Sequence, residues 1–212
     1  TTLVIITRQI DISIGAQFSM CGVVAGIVAA AGMPIGVAML AAVGTGIALG
    51  AFNGLLVAWL GLPSIVVTLA TMVTWNEALR LWQHGRLMPL PEGIQWFGMS
   101  QPAGQGEVIG FSVLLLILFA WGMKHLAAGR YVYATGTDAE AARPAGINPK
   151  RTTFTVFALM GALAGVAAVL NMVQSPQVQP NAGDGLELKV IAAAVVGGVA
   201  ITGGRGNLWG VL

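Results

Sequence analysis

Residues Ile35–Leu60 read IGVAMLAAVGTGIALGAFNGLLVAWL and contain no charged side chain. A bilayer core of about 30 Å is crossed by roughly 20 apolar residues in a helix. In lipid, only a helix or a closed barrel satisfies every backbone amide and carbonyl, so a run of this length and composition reads as a transmembrane helix. Pro34 stands directly before it, as punctuation.

Working outward, similar stretches occur at about Ile14–Ala31, Ile65–Trp82, Ile109–Ala127 and Thr153–Met172. A sixth, about Leu188–Thr202, is short for a crossing and either spans or re-enters. Leu3–Ile6 and Leu208–Leu212 read as the ends of two further segments, so the native protein is expected to be longer at both ends. Pro63, Pro149, Pro176 and Pro180 fall in the gaps. Of the 212 residues, 56% are hydrophobic and only 8% charged, against about 25% charged in soluble domains. That balance excludes a soluble enzyme, a disordered chain and a nucleic-acid binder. Residues 1–212 read as one all-α transmembrane domain, a polytopic helix bundle of about six spans plus stubs, with membrane lipid around it.

The basic residues orient the bundle. Lys124, Arg130, Arg143, Lys150 and Arg151 are five of the ten Lys and Arg, and all lie within 124–151, from the end of the fourth stretch to the start of the fifth. The positive-inside rule puts that loop in the cytoplasm. Alternation then puts 83–108 and 173–187 outside, and Arg8 and Arg205 inside. Glycine spacing supports close helix packing: Gly22/Gly26, Gly46/Gly50/Gly54 and Gly161/Gly165 each clear one helix face. The lone Cys21, in an apolar run, reads as a small buried residue.

Ionisable groups avoid the span centres. Asp11 precedes the first span and offers a cap and a broken helix start. Glu77 and Arg80, three apart, share a helix face and can pair. Glu187 and Lys189 point to different faces, and Arg80 and Lys189 read as interfacial anchors. An ion-coupled pump buries Asp, Glu or His near mid-membrane; here the mid-span polar groups are the neutral Asn53, Thr68, Thr71, Thr74, Asn76 and Asn171. They suit a neutral, hydroxyl-rich solute and equally suit helix–helix hydrogen bonds. Asp11, Ser13, Asn53, Thr68, Thr71 and Asn171 are the translocation-pathway candidates. His84 and His125 stand alone at span ends without ligand spacing, so no metal site is expected. There is no Gly-x-x-x-x-Gly-Lys-Ser/Thr phosphate loop. Gly203-Gly204-Arg205-Gly206 reads as a tight loop, and no nucleophile, base or metal set supports a membrane-embedded enzyme.

The basic loop runs GRYVYATGTDAEAARPAGINPK over 129–150. Thr137 and Glu140 have the spacing of a capping box that starts a helix at Asp138. Pro144 limits that helix to one or two turns. Asn148-Pro149 reads as the cap and first residue of the next helix. A helix this short is unstable alone and must dock, either on its own bundle or on a cytoplasmic partner.

Four stretches together resemble a known family. They are Ile10-Asp11-Ile12-Ser13-Ile14-Gly15; Leu62-Pro63-Ser64-Ile65-Val66-Val67-Thr68-Leu69; the Gly129–Ile147 loop; and Gly185–Ala193 running into Val196-Gly197-Gly198 and Gly203-Gly204-Arg205-Gly206. The chain looks like a permease subunit of bacterial ATP-binding-cassette sugar importers of the ribose, rhamnose and autoinducer-2 kind, the loop spelling looking closest to the rhamnose branch. The resemblance implies an inner-membrane subunit of roughly ten helices without enzymatic activity, paired with a second, identical or different, permease subunit. It implies a periplasmic sugar-binding protein and two cytoplasmic ATPase subunits, which would hold the ATP and Mg; this chain itself is expected to bind no cofactor. It assigns ATPase coupling to Thr137, Asp138, Glu140, Ala141, Ala142, Arg143 and Gly146. Pro144 and Asn76-Glu77 depart from the family pattern. The alternatives are the same machinery for another solute, such as branched-chain amino acids, and an autonomous secondary transporter or facilitator.

Overall fold

The decisive stretch forms helix α3 (Ile35–Ala58) in the computed structural model, which describes residues 1–83, 87–91 and 94–211, Val211 by its backbone only. Its glycines explain its neighbour. Helices gain no hydrophobic advantage by meeting in lipid, so close dispersion packing decides which faces pair. Gly46, Gly50 and Gly54 recur every four residues and clear one stripe of α3 for α8 (Pro149–Met172). A Cβ on Gly46 would collide with the Gly161 carbonyl, and one on Gly50 with the Phe157 carbonyl. A Cβ on Gly165 would likewise meet the Ala42 carbonyl. The backbones of α3 and α8 therefore touch along much of their length. Gly36 and Gly44, on other faces of α3, have nothing near.

Around this pair stand α1 (Thr2–Ile6), α2 (Ile14–Ala30), α4 (Ser64–Gln83), α5 (Gln101–His125), α6 (Ala127–Thr137), α7 (Ala139–Ala142) and α9 (Leu186–Val196). A two-residue antiparallel ribbon, β1 (Met88–Pro89) with β2 (Gln177–Val178), is the exception to an otherwise helical chain among the described residues. The all-α bundle is as the sequence implies. By length and composition α3, α5 and α8 can each cross a membrane. Two apolar clusters fill the interior. One, at the end bearing the basic loop, joins Val4, Ile5 and Ile6 to Val57, Val132, Phe157 and Ala194. The other, toward the opposite end, joins Phe18, Val23, Ala42, Leu79 and Val169, with Cys21 fully buried as expected.

Several boundaries differ from expectation. The fourth span begins at Gln101, eight residues before Ile109, because Ser100 adopts an extended N-cap conformation and Pro102 sits in the first turn, where its missing amide costs nothing. Apart from Gly104, α5 buries no residue and presents Ile109, Leu114, Leu118 and Trp121 outward. Gly22 faces Ala168 of α8 and Val178 of the ribbon, while Gly26 receives Val178 and Met88 of the ribbon rather than another helix. The sixth stretch is helical for only 11 residues, about 16 Å at 1.5 Å per residue. The connection preceding it packs on the bundle. From the end of α8 it descends along α2: Val178 lies against Gly22 and Gly26, and the Gly183 amide donates to Ser19 Oγ at 2.9 Å. From there α9 runs toward the basic end, where Gly204 donates to the Ile6 carbonyl at 2.9 Å. Residues 173–185 are thus a polar run of turns around the two-residue strand, packed on α2 and followed by an 11-residue helix. His84, Arg86 and Glu92 of the expected outer loop lie outside the described residues.

Candidate functional site

The predicted coupling residues gather at one corner of the basic end. Helix α6, which the sequence reading did not anticipate, occupies 127–137 and buries Gly129, Val132, Thr135 and Gly136. Gly136 is pressed on the Ile6 carbonyl and the Gly204 amide, so any side chain there would separate three segments. The Tyr133 hydroxyl donates to the Gly206 carbonyl at 2.8 Å, and the Arg8 guanidinium donates to the Thr137 carbonyl. Arg8 itself has φ 61 and lies in the tight reversal between α1 and α2. The tight Gly203–Gly206 loop, with Gly203 and Gly204 at positive φ, fits against this corner.

The capping box is replaced by a different cap. Because α6 runs through Thr137, that residue is helical, and its hydroxyl donates back to the Tyr133 carbonyl at 2.9 Å. Asp138 supplies the extended backbone an N-cap needs, at φ −157 and ψ 107. Its Oδ1 accepts from the amides of Ala141 at 3.0 Å and Glu140 at 2.9 Å. Those two amides hold the carboxyl below its ordinary value of 3.8, with a smaller contribution from the Arg8 charge. The helix that follows, α7, is one turn of four residues. Ala142 is its buried footing, while Glu140, Ala141 and Arg143 are exposed. Gly146 closes the turn at φ +80, a conformation that favours glycine. Asn148 then caps α8 through the Arg151 amide at 3.2 Å, with Pro149 at the first position, as the sequence implies.

Five of the six pathway candidates also meet. Asp11 Oδ1 accepts from the Ser13 amide at 2.7 Å and the Ser13 hydroxyl at 2.6 Å, and Oδ2 accepts from Gln17 Nε2 at 3.1 Å. Asn53 Nδ2 donates to Ser13 Oγ at 2.8 Å. The Ile12 amide donates to Thr68 Oγ1 at 3.2 Å, the Ile10 amide to Ser64 Oγ at 3.1 Å, and Thr71 Oγ1 donates to the Thr68 carbonyl at 3.2 Å. Asp11, Ser13, Gln17, Asn53 and Thr68 are all fully buried. The network ties the reversal at 7–13 to α2, α3 and α4. Gln17 Oε1 and Asn53 Oδ1 are buried with no hydrogen-bond partner among the described residues. Asn171 stands apart, exposed near the far end of α8. Gln17 and Ser64 were missed; the i, i+4 spacing of Ser13 and Gln17 in an apolar run was the available signal.

Glu77 and Arg80 pair as expected, with Arg80 Nη2 at 2.6 Å from Glu77 Oε2. Glu187 lies against Gly15, and Lys189 is exposed. Among the described residues no group of His, Cys, Asp and Glu is arranged to hold a metal.

The family model described as branched-chain amino acid transport system, permease component, matches residues 1–212. The chain is 37% identical over its whole length to the autoinducer 2 import system permease protein LsrC of Salmonella typhimurium, covering 61% of that protein. It is 38% identical over 98% of its length to the LsrC protein of an Enterobacter species, again covering 61%. The Escherichia coli K12 protein is 35% identical over the whole chain, with 62% of it covered. The chain thus spans about three fifths of these curated relatives. No solved structure matches it. The chain, a polytopic membrane helix bundle, belongs to the permease-component family of branched-chain amino acid transport systems, alongside the autoinducer 2 import permeases.

Proposed function

We propose that this chain is the membrane-spanning core of a permease subunit in an ATP-driven importer of a small, hydroxyl-rich solute in the bacterial inner membrane. One observation carries the reading: an exposed one-turn helix, α7, stands at the basic end and is tied through α6 to α1 and the glycine loop. A helix of four residues has too few internal hydrogen bonds to persist by itself. Its exposed Glu140, Ala141 and Arg143 present a surface for a cytoplasmic ATPase subunit, and its Ala142 footing carries motion into the bundle. The solute class follows the relatives named for autoinducer 2 import, and a binding protein outside the membrane and a second permease subunit complete the assembly. Hydrolysis belongs to the ATPase partner, with its ATP and Mg. In this scheme Asp11, Ser13, Asn53, Thr68 and Thr71 form an occluded stretch of the pathway, with the free acceptors of Gln17 and Asn53 available to a solute hydroxyl when the bundle opens. Asn171 lies toward the outer mouth.

The test is uptake by the assembled full-length transporter carrying Glu140→Ala with Arg143→Ala. Solute import falls at least tenfold while the detergent-extracted yield of the permease stays within twofold of wild type. Full-rate import by that variant overturns the coupling assignment.

A further inference from the structure

At the basic end a groove of about 480 Å³ lies between the C-terminal part of α5, α6 and the first half of α8. Its deep side is apolar, with Val132 and Val156 both buried. The hydroxyls on its α8 wall are already spent on their own helix. Thr152 Oγ1 donates to the Asn148 carbonyl at 3.1 Å and Thr155 Oγ1 to the Arg151 carbonyl at 2.8 Å. Leu118 and Leu126 line it from α5, are exposed, and continue the outward apolar face of that helix. The groove therefore opens sideways, toward the lipid that α5 meets. One edge is basic. Arg151 lines it, Lys124 follows the lining residue Met123, and Arg130 sits between the lining residues Gly129 and Tyr131. All three cations are exposed, and among the described residues none has a carboxylate within ion-pair distance. Among the described residues no Asp or Glu lines the groove. Tyr131, exposed on the same rim, has the amphipathic ring that settles at headgroup level.

We propose that this groove holds an acyl chain of an anionic phospholipid from the cytoplasmic leaflet, with the headgroup phosphate on Arg151 and the flanking Lys124 and Arg130. The inference rests on the orientation set by the basic residues and not on the importer reading. An apolar slot that ends in unpaired cations matches an amphiphile with a long tail and a negative head. A wholly apolar helix, from the rest of a longer chain or from a neighbour, fills the slot but gives the three cations nothing to pair with. A zwitterionic lipid fills it equally well but brings its own cation to the basic edge. Anionic lipids of the cytoplasmic leaflet attract Lys and Arg at helix ends, and basic pockets between membrane helices on that side take their headgroups. The arginine fork adds geometric fit, because it can give two parallel hydrogen bonds to phosphate oxygens.

The experiment uses the full-length permease, stripped of lipid in detergent and offered phosphatidylglycerol and phosphatidylcholine with identical acyl chains. Bound lipid is counted by native mass spectrometry. The wild type retains phosphatidylglycerol at least tenfold over phosphatidylcholine. Lys124→Ala with Arg151→Ala, both at exposed positions, lowers retained phosphatidylglycerol at least fivefold at unchanged protein yield. Two further variants fill the slot without changing a charge. Gly122→Phe does so from α5, where an added Cβ meets only Leu126 Cδ1 at 3.5 Å, and Thr155→Trp does so from α8. Each lowers retained phosphatidylglycerol at least fivefold. Equal retention of the two lipids by the wild type, or undiminished retention by the charge variant, overturns the headgroup assignment. Retention within twofold in a folded slot-filling variant reduces the site to a surface charge contact and overturns the groove. If the wild type retains neither lipid, other parts of the full-length protein cover the groove and the proposal fails.

Discussion

The guanidinium of Arg8 donates to the carbonyl of Thr137, joining residues 129 positions apart at the C-terminus of α6. Terminal helix carbonyls have no partner within the helix, and a cation beside them is favoured by the helix dipole. This bond runs directly behind Asp138, the cap of α7. Whatever displaces α7 is therefore felt at the reversal that leads into the Asp11 network. Arg8→Ala is expected to cost only about 0.5 kcal/mol of stability, since the group is exposed. It should nevertheless lower solute imported per ATP hydrolysed at least fivefold in proteoliposomes. Arg8→Lys, which keeps the charge without the planar fork, is expected to fall between the two.

The glycine seam between α3 and α8 predicts a sharp positional contrast. Gly46→Leu and Gly50→Leu place a side chain in the facing backbone of Gly161 and Phe157. Overpacking of this kind costs about 3 kcal/mol, and backbone on both sides leaves no flexible group to yield. Gly44→Leu, with open space around it, is expected to be tolerated. Monodisperse yield in detergent, read by size-exclusion chromatography, separates the three. Normal yield of both seam variants contradicts the packing role.

Asp11 organises donors that are fully buried. Asp11→Ala strands the Ser13 amide and hydroxyl and weakens the hold on Gln17. One buried unsatisfied group costs about 1–3 kcal/mol, so the thermal midpoint of the detergent-solubilised protein should fall by several degrees. Asp11→Asn keeps an acceptor oxygen and is expected to lose less. Equal midpoints for wild type and Asp11→Ala contradict the network's structural role.

The cap of α7 should be acid-sensitive over a narrow range. The Ala141 and Glu140 amides depress the Asp138 carboxyl below its ordinary value of 3.8. A group whose folded pKa is lowered contributes its stability above the unfolded value and loses it as pH falls through the folded one. The cap is therefore intact from neutral pH down to about 4 and weakens below that. Backbone amide shifts of Glu140 and Ala141 should stay constant above that range and move below it. In Asp138→Asn they should show no such transition. Movement centred well above pH 4 in the wild type contradicts the assignment.

The helix pattern was legible because lipid imposes one demand, a continuous apolar run, that hydropathy reads directly; α2, α3, α4 and α8 start and end within a few residues of expectation. The packing of 173–185 back onto α2 was not legible. Residues 173–185 are polar and aperiodic, and nothing local distinguishes an external loop from a segment held in the bundle by Gly183 and Ser19. Helix α6 was hidden because its buried face is built partly of Gly129 and Gly136, residues that read as loop punctuation. Asp138 outcompeted Thr137 as the cap for the same reason, since α6 claims Thr137. The Asp11 network assembles side chains from three helices and a reversal, so its members could be nominated individually but their convergence could not be read from spacing. Asn181 and Asp184 come near Glu77 and Arg80 only because the segment before α9 folds back toward α4, which spacing along the chain does not reveal.

The proposed docking of an ATP-hydrolysing partner at the 137–146 corner is open to direct measurement. Its most direct test is co-purification of the full-length protein with soluble host proteins, with residues 137–146 intact and with the same residues scrambled. An ATP-binding subunit is expected to be retained by the intact loop and lost with the scrambled one, at equal permease yield. Retention by both, or by neither, would contradict it.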